Sequence, residues 1–243
     1  MLEELKQSIE KLSVIAPLYN EAENIKILNQ RLINVLDQIN IDYEIVYIND
    51  GSTDNSTEVI QDIKKDNSKI KSFNFDKNIG QTTALRAGFE IAEGNYCITI
   101  DADLQNPPEE IPKLLEHAPM YDLVAGYRKK RVDNINKKIS SFIGNTVRNL
   151  ITGDHITDTG CSLKVFKKET ALKVPLYFEG MHRFLPTLIK MVGGNCLEIP
   201  VDHHARIYGK SKYNAFNRGL SGLFDCFVVK WMRSRYRKVR DQS

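Results

Sequence analysis

Short apolar runs alternate with amphipathic stretches four times over the first 117 residues. The runs have the length and the β-branched content of buried strands, and they cover 12–19, 43–48, 69–75 and 96–103. Between them, apolar residues recur every three or four positions, which is the spacing of one helix face. These helical stretches cover about 20–39, 54–65, 82–93 and the residues from 107 onward. The alternation predicts an α/β fold, with a mostly parallel sheet and helices on both of its faces.

The second half of the chain is less regular. Its pattern predicts strands over 122–127, 162–166 and 196–201, and helices over 137–151 and 180–192. From about Asn214 a broad apolar helix face appears, and six of the last fourteen residues are basic. The apolar face consists of Phe216, Leu220, Leu223, Phe224, Phe227, Val228 and Trp231. We therefore divide the chain into a domain over 1–213 and an amphipathic, basic segment over 214–243.

That last segment has two interpretations. An amphipathic helix with a polybasic end is typical of an anchor at a membrane interface, because each basic residue near an anionic leaflet adds about 1 kcal/mol of binding. The alternative is a helix packed on the core or on a partner protein, with a solvated charged tail. The rest of the chain is near neutral and lacks a base-reading motif, so a nucleic-acid partner is not expected.

Composition narrows the class of protein further. The chain has 243 residues, 42% of them hydrophobic, and a net charge of +3. Its four cysteines are widely separated, which predicts reduced thiols in a cytosolic protein. No stretch reaches the ~20 apolar residues of a transmembrane helix, and the charged N-terminus does not look like a secretory signal. These features predict a cytoplasmic protein that is at most peripheral to a membrane.

Two carboxylates directly follow the apolar run that ends near residue 100. If Asp101 and Asp103 lie on a strand, their side chains point the same way and can hold Mg²⁺ or Mn²⁺ against a substrate diphosphate. By its spacing alone, Asp-x-Asp is equally compatible with an ordinary acidic turn. However, Tyr19-Asn20 and Asp50-Gly51 also follow predicted strands. Their convergence on one sheet edge favours a binding site there.

Four ordered motifs resemble the family-2 glycosyltransferases with the GT-A fold. They are Pro-Leu-Tyr-Asn-Glu at 17–21, Asn-Asp-Gly-Ser-Thr-Asp at 49–54, Asn-Ile-Gly-Gln at 78–81 and Asp-Ala-Asp-Leu-Gln-Asn-Pro-Pro-Glu at 101–109. Three later motifs resemble the polyprenyl-phosphate glycosyltransferases, the group of the dolichol-phosphate mannose synthases and the bacterial undecaprenyl-phosphate enzymes. These lie at 158–164, at 180–184 and at 206–213.

The resemblance implies an inverting transfer of a sugar from a GDP- or UDP-linked donor to a polyprenyl phosphate. It implies Mg²⁺ or Mn²⁺ as cofactor, with Asp101, Asp103 and Gln105 as metal residues. It assigns the nucleotide-sugar to Pro17, Tyr19, Glu21, Asp50, Gly80, Gln81, Asp101 and Ala102. The alternative is a family-2 transferase that acts on a sugar or glycan acceptor without a membrane.

The acceptor in the first of these reactions is already an anion. It needs cations that offset the charge of two meeting anions more than it needs a general base. The candidates for binding the acceptor phosphate are Arg128, Arg131, Lys137, Arg206 and Lys212. By resemblance, Asp158 has a catalytic or sugar-orienting role beside Asp101, Asp103 and Arg128. The expected partners are the nucleotide-sugar, the polyprenyl phosphate, and a membrane surface or membrane protein on the cytoplasmic face.

Overall fold

A computed structural model describes residues 7–129, 135–208 and 215–237, with the backbone alone for 135–143 and 215–220. Within these ranges seven strands form one sheet in the order β3-β2-β1-β4-β6-β5-β7. The strands are β1 Lys11–Leu18, β2 Asp42–Asn49, β3 Ile70–Asn74, β4 Tyr96–Thr99, β5 Leu123–Arg128, β6 Lys164–Lys167 and β7 Cys196–Val201. β6 runs antiparallel to both of its neighbours, and the other paired strands are parallel. The predicted mostly parallel sheet is confirmed.

Helices cover both faces of this sheet. They are α1 Ala22–Ile39, α2 Ser56–Lys65, α3 Gln81–Ile91, α4 Ile111–Leu115, α5 Ile135–Thr152, α6 Lys168–Lys173, α7 Leu185–Met191 and α8 Ala215–Arg235. Val14 and Ala16 of β1 face the core that α1, α2 and α4 complete. Ile15 faces the opposite core, which α3, α6, α7 and α8 complete. Successive β1 residues thus serve two cores, as strand alternation requires.

The main difference from the predicted elements lies at the acidic motif. β4 ends at Thr99, so Asp101, Ala102 and Asp103 lie in the turn that follows and not on a strand. The argument from strand alternation was therefore wrong. Leu104, next to the motif, has a φ of 61°, a left-handed conformation that is uncommon for a buried leucine. Such a conformation persists only where the surrounding structure enforces it, and it redirects the chain here.

Two predicted helices are divided, and one short helix was not predicted. A 3₁₀ turn at Pro108–Glu110 precedes α4, and a second at Met181–Phe184 precedes α7. In both places a proline lies in the first turn of the α-helix, where its missing N–H costs little. α6, which directly follows β6, was missed because six residues are too few to show a helical period.

α8 confirms the predicted C-terminal helix and packs along α5. Its buried side chains, Cys226 and Val229, belong to the core on that face of the sheet. Phe224, Phe227 and Trp231 point outward and are 69%, 56% and 62% exposed; we call them the outer face of α8. None of the described helices combines the length and apolar content needed to cross a bilayer. The predicted domain boundary at 213/214 lies outside the described residues. All four thiols are free, as expected.

Candidate active site

The acidic turn is fixed by hydrogen bonds from neighbouring elements. Gln81, the first residue of α3, donates through Nε2 to Asp101 Oδ1 over 2.9 Å. The Asp101 N–H donates to Ser162 Oγ over 2.9 Å, and the Asn106 side-chain amide donates to the same oxygen. One carboxylate of the pair is thus oriented by the helix after β3 and by the segment before β6.

The two carboxylates lie close enough to influence each other. Burial raises the pKa of the Asp101 carboxyl to about 7, and the charge of Asp103 adds to the rise. Lys164 and Arg206 oppose it as nearby cations. A bound cation would stabilise the ionised form of Asp101, which burial and the neighbouring carboxylate disfavour.

Arg206 already places a cation at this position. Its Nη2 lies 2.6 Å from Asp103 Oδ2, and its Nη1 lies 3.2 Å from Glu21 Oε1. Glu21 follows β1 and Asp103 follows β4, so the guanidinium bridges the ends of two adjacent strands. The side chain of Arg206 comes from beyond β7, at the far edge of the sheet in strand order. A metal ion and a diphosphate bound here must share these carboxylates with Arg206.

Asp50 at the end of β2 organises the neighbouring loop. Its carboxylate accepts hydrogen bonds from the Ile79 and Gly80 N–H groups at 2.8 and 3.0 Å, and from the Asn78 amide at 2.9 Å. Burial raises the pKa of Asp50, and the two N–H groups lower it in part. Gly51 is required here, because a Cβ on it would lie 2.2 Å from the Lys77 carbonyl carbon, at a φ of 66°.

Arg128 and Asp158 form a two-pronged ion pair. Arg128 donates from Nε to Asp158 Oδ2 over 2.6 Å and from Nη2 to Asp158 Oδ1 over 2.8 Å, and both side chains are largely buried. Gly160 leaves room for it, since a Cβ there would lie 2.6 Å from Arg128 Nη2. A bidentate pair of this geometry holds both groups in one orientation. Arg128 was predicted as a catalytic residue and acceptor cation, and Asp158 as a catalytic or sugar-orienting residue; the structure places the two side chains together.

The acidic turn and Gly160, which adjoins the Arg128–Asp158 pair, both line one cleft. Its polar lining includes Gln81, Asp101, Ser162, Lys164, His182 and Arg183, and Pro17 and Gly160 also line it. Lys164 is buried and donates to the Cys161 carbonyl, and its burial lowers its pKa. His182 Nδ1 lies 2.8 Å from Thr82 Oγ1 on α3. The cleft therefore holds carboxylate, amide, hydroxyl, imidazole and cationic groups within one concave surface.

Several lining residues had no predicted role. Ser162 and Lys164 lie in the motif at 158–164, and His182 and Arg183 lie in the motif at 180–184. The motifs themselves were the available signal, but only the tertiary fold shows which of their side chains reach the cleft.

The structure also places the remaining predicted residues. Tyr19 is half-buried just past the end of β1, and Ala102 is buried between the two carboxylates. Gln105 donates its N–H to Asp103 Oδ1. Arg131 and Lys212 lie outside the described residues, and Lys137 is described by its backbone in α5 alone. Their predicted contacts with an acceptor stay predictions.

The donor set fits a hard divalent cation bound together with a substrate. Among the described residues no three His, Cys, Asp or Glu side chains gather into a complete metal cage. Mg²⁺ in particular is commonly held by one or two carboxylates plus substrate phosphates, so the pair of Asp101 and Asp103 suffices in a complex with a diphosphate. The cationic Arg206 against Asp103 shows that this position favours positive charge.

Comparison with known proteins gives a consistent result. The model of the family "Glycosyl transferase family 2" matches residues 13–173. An undecaprenyl-phosphate 4-deoxy-4-formamido-L-arabinose transferase of Aeromonas hydrophila is 39% identical over 207 residues, which are 84% of this chain and 63% of that protein. The chain thus spans less than two thirds of that relative.

Solved structures share the fold. A mannosyltransferase from Pyrobaculum calidifontis, in complex with GDP-Man and Mn²⁺, has a TM-score of 0.67 at 17% identity, over 98% of this chain and 72% of its own. Glucosyl-3-phosphoglycerate synthase from Mycobacterium tuberculosis, in complex with Mg²⁺ and UDP, has a TM-score of 0.71 at 13% identity, over 96% and 83%. These likenesses show the GT-A fold.

Proposed function

The chain belongs to glycosyl transferase family 2, and on that premise we propose that it transfers a sugar from a nucleotide-sugar to a polyprenyl phosphate. The observation that carries the proposal is the 39% identity to an undecaprenyl-phosphate sugar transferase over 84% of this chain. The polar residues at the carboxyl ends of β1, β2 and β4 support it, because open α/β sheets bind their ligands at this edge.

On the donor side, Asp101 and Asp103 would hold a divalent cation, with Gln105 beside them. When bound, the cation supplies Lewis-acid stabilisation of the charge that develops on the leaving diphosphate. Gln81 and Ser162 keep Asp101 in place through the hydrogen bonds described above. Asp50 holds the loop at 78–80 against the end of β2, where we place the base and ribose together with Pro17, Tyr19 and Glu21.

On the acceptor side, a phosphate oxygen attacks the anomeric carbon and inverts its configuration. The attacking group is an anion, so the cleft needs positive charge and orientation more than a base. Asp158 holds the Arg128 guanidinium in a single orientation beside Gly160, which lines the cleft. Arg206 supplies a second positive charge, which lies beside the acidic turn.

We also propose that the protein is peripheral to a membrane on its cytoplasmic face. The outer face of α8 exposes three large aromatic side chains, and Lys230, Arg235 and Arg237 are exposed on the same helix or directly after it. Aromatic rings and basic side chains together are typical of a helix that lies in the headgroup region of an anionic bilayer. A lipid-linked acceptor is delivered at that surface.

One panel tests the function. GDP- and UDP-linked hexoses, N-acetylhexosamines and a 4-deoxy-4-formamidopentose donor are each incubated with undecaprenyl or dolichyl phosphate, with Mg²⁺, Mn²⁺ or a chelator. We expect a metal-dependent, lipid-linked product of inverted anomeric configuration from at least one donor. Parallel reactions with free sugars and glycans replace the lipid acceptor. Transfer to these alone would establish the alternative family-2 activity and refute the lipid acceptor.

A further inference from the structure

Arg183 lies where the catalytic cleft meets α8. It belongs to the 3₁₀ turn before α7 and lines the cleft with Asp101 and Gln81. Its Nη2 donates to Asp225 Oδ2 of α8 over 3.0 Å. Asp225 adjoins Phe224 in the chain, but residues one or two positions apart do not share a helix face, so the half-buried Asp225 lies at the border between the outer face and the packed side that holds Cys226. One ion pair thus connects the cleft with the helix on which we place the membrane contact.

The contact between these elements is close. Gly180, at a φ of 82°, lies against both members of the pair, because a Cβ there would be 2.6 Å from Asp225 Oδ2 and 2.7 Å from Arg183 Nη2. Gly222 of α8 also lies beside Arg183, but a Cβ there would be at an ordinary contact distance of 3.6 Å from Nη1. The absence of a side chain at Gly180 lets the guanidinium and the carboxylate meet between the 3₁₀ turn and α8.

The other described cations at the cleft are more fully engaged. Arg128 is paired through two hydrogen bonds to Asp158, and Arg206 bridges Asp103 and Glu21. Lys164 is buried against a backbone carbonyl. The Arg183 side chain remains 24% exposed, and its buried Nε has no hydrogen-bond partner among the described residues. Within the described part of the chain, one carboxylate holds Arg183, whereas two carboxylates hold Arg206 and a two-pronged pair holds Arg128.

A polyprenyl phosphate must present its phosphate to the cleft while its chain stays in the lipid. Arg183 contacts Asp225 of α8 and lines the same cleft as Asp101, so the pair joins α8 to the cleft that holds the acidic turn. A guanidinium binds a phosphate through two parallel N–H donors, just as it binds a carboxylate, and the phosphate carries more charge. A phosphate that arrives here can replace the Asp225 carboxylate on the same donors.

We propose that Arg183 binds the phosphate of the lipid acceptor and that Asp225 occupies the phosphate position when no acceptor is bound. The proposal rests on the proposed function, since it names a residue that selects a lipid phosphate at the same site. It adds Arg183 to the acceptor residues predicted from the sequence and gives Asp225 the role of an internal competitor.

The test compares Arg183→Gln, Arg183→Lys and Asp225→Asn with the unmodified chain in the transferase assay. Removing a charge-assisted bidentate contact should raise the KM for undecaprenyl phosphate roughly 10- to 100-fold. The KM for the donor should stay within about twofold of the original, as expected for a residue that contacts the acceptor alone. Arg183→Lys keeps the charge without the planar fork and should be intermediate. Asp225→Asn removes the competitor and should lower the KM for the acceptor.

Arg233→Gln is the matched control. Arg233 also joins α8 to the body of the protein, through Asp154 at 3.1 Å, but it does not line the cleft. If Arg183 merely docks α8, then Arg233→Gln should raise the acceptor KM as well, and Asp225→Asn should raise it instead of lowering it. Either result overturns the proposal, as does an unchanged acceptor KM in Arg183→Gln.

Direct binding separates this proposal from the proposed function. Titration with farnesyl phosphate measures affinity for a lipid phosphate without turnover, and inorganic phosphate serves as the headgroup alone. Weaker farnesyl phosphate binding by Arg183→Gln supports the acceptor site even if no donor yields product. A loss shared by inorganic phosphate supports the proposed contact with the phosphate itself, whereas a loss confined to farnesyl phosphate would place Arg183 against the lipid chain and refute that contact. A chain that forms lipid-linked product but binds farnesyl phosphate equally well with and without Arg183 refutes the proposal alone.

Discussion

Replacing Phe224, Phe227 and Trp231 by serine tests whether the outer face of α8 holds the protein on a membrane. Point substitutions are preferable to truncation, because α8 also buries Cys226 and Val229 in the core. Removing the helix would open that core and confuse unfolding with loss of membrane binding. The three aromatic side chains are more than half exposed, so their replacement leaves the packed face of α8 unchanged.

The magnitude follows from the exposed area. A large aromatic side chain has roughly 200 Å² of surface, and the exposed fractions of 69%, 56% and 62% correspond to roughly 370 Å² in total. At about 25 cal/mol per Å², complete immersion contributes about 9 kcal/mol, and immersion of half of this area about 4 to 5 kcal/mol. Lys230, Arg235 and Arg237 add about 1 kcal/mol each on an anionic surface. The triple substitution should therefore lower vesicle partitioning about 1000-fold, since 1.4 kcal/mol is a factor of ten.

Sedimentation with vesicles that contain 30% anionic lipid measures the partition coefficient, and nucleotide titration verifies that the donor site is intact. The matched control replaces Met120 and Phe73, which are 62% and 40% exposed but lie before β5 and on β3, away from α8. We expect the control to sediment as the unmodified chain does. Undiminished sedimentation of the triple variant, or an equal loss in the control, would refute the assignment of this surface.

Three further predictions concern the site and the sheet. Asp101→Asn should reduce metal-dependent turnover about 100- to 1000-fold, because a neutral amide does not hold the divalent cation that stabilises the leaving group. Turnover near the original rate would contradict the metal assignment. Arg206→Ala should bind Mn²⁺ more tightly in calorimetry, since Asp103 and Glu21 lose the guanidinium that neutralises them, and an unchanged affinity would refute competition for this position. Glu44 of β2 is buried, accepts hydrogen bonds from Ser13 Oγ and the Glu93 N–H, and pairs with Lys71. Glu44→Gln should lower the free energy of unfolding in urea by about 2 kcal/mol at pH 7. Burial raises the pKa of Glu44, but its hydrogen bonds and ion pairs together hold the pKa below the ordinary 4.5. The loss of unfolding free energy in Glu44→Gln should therefore shrink as the pH falls below about 4.5. A loss that does not depend on pH would exclude the ionised carboxylate as its source.

The elements of the first half were predictable because each carries its own periodicity. Alternating apolar runs and helical stripes located β1, β2 and β3 and the helices between them to within a few residues. The same reasoning failed at Asp101 and Asp103, where the apolar run continues past Thr99 but the strand does not. Periodicity does not reveal that Leu104 adopts a left-handed conformation, because the surrounding fold imposes it. The Asp101 and Asp103 carboxylates still lie close together, but a turn brings them there and strand alternation does not.

The partners of the charged residues were not predictable. Arg128 and Asp158 are 30 residues apart, and Arg206 is 103 residues from Asp103, so the motif alone identifies a cation but not the carboxylate that receives it. The helix near the C-terminus shows the same limit. One broad apolar face was predicted, whereas the structure divides α8 into a packed side with Val229 and an exposed side with Trp231. The packing of α8 against α5 and the sheet determines which side of the helix is buried and which is exposed.

The ion pairs around the cleft have one feature in common. Arg206 lies on carboxylates that we assign to a metal and a nucleotide, and Asp225 lies on an arginine that we assign to a phosphate. On these assignments, a side chain of the protein would occupy each ligand's position with the ligand's sign of charge. The charged groups are neutralised without substrate, and we propose that each substrate binds by exchange. The internal pairs stabilise the protein before substrate binds, because the charges of the site are not left buried and uncompensated. Exchange also disfavours ligands of the wrong charge, which cannot replace the internal group.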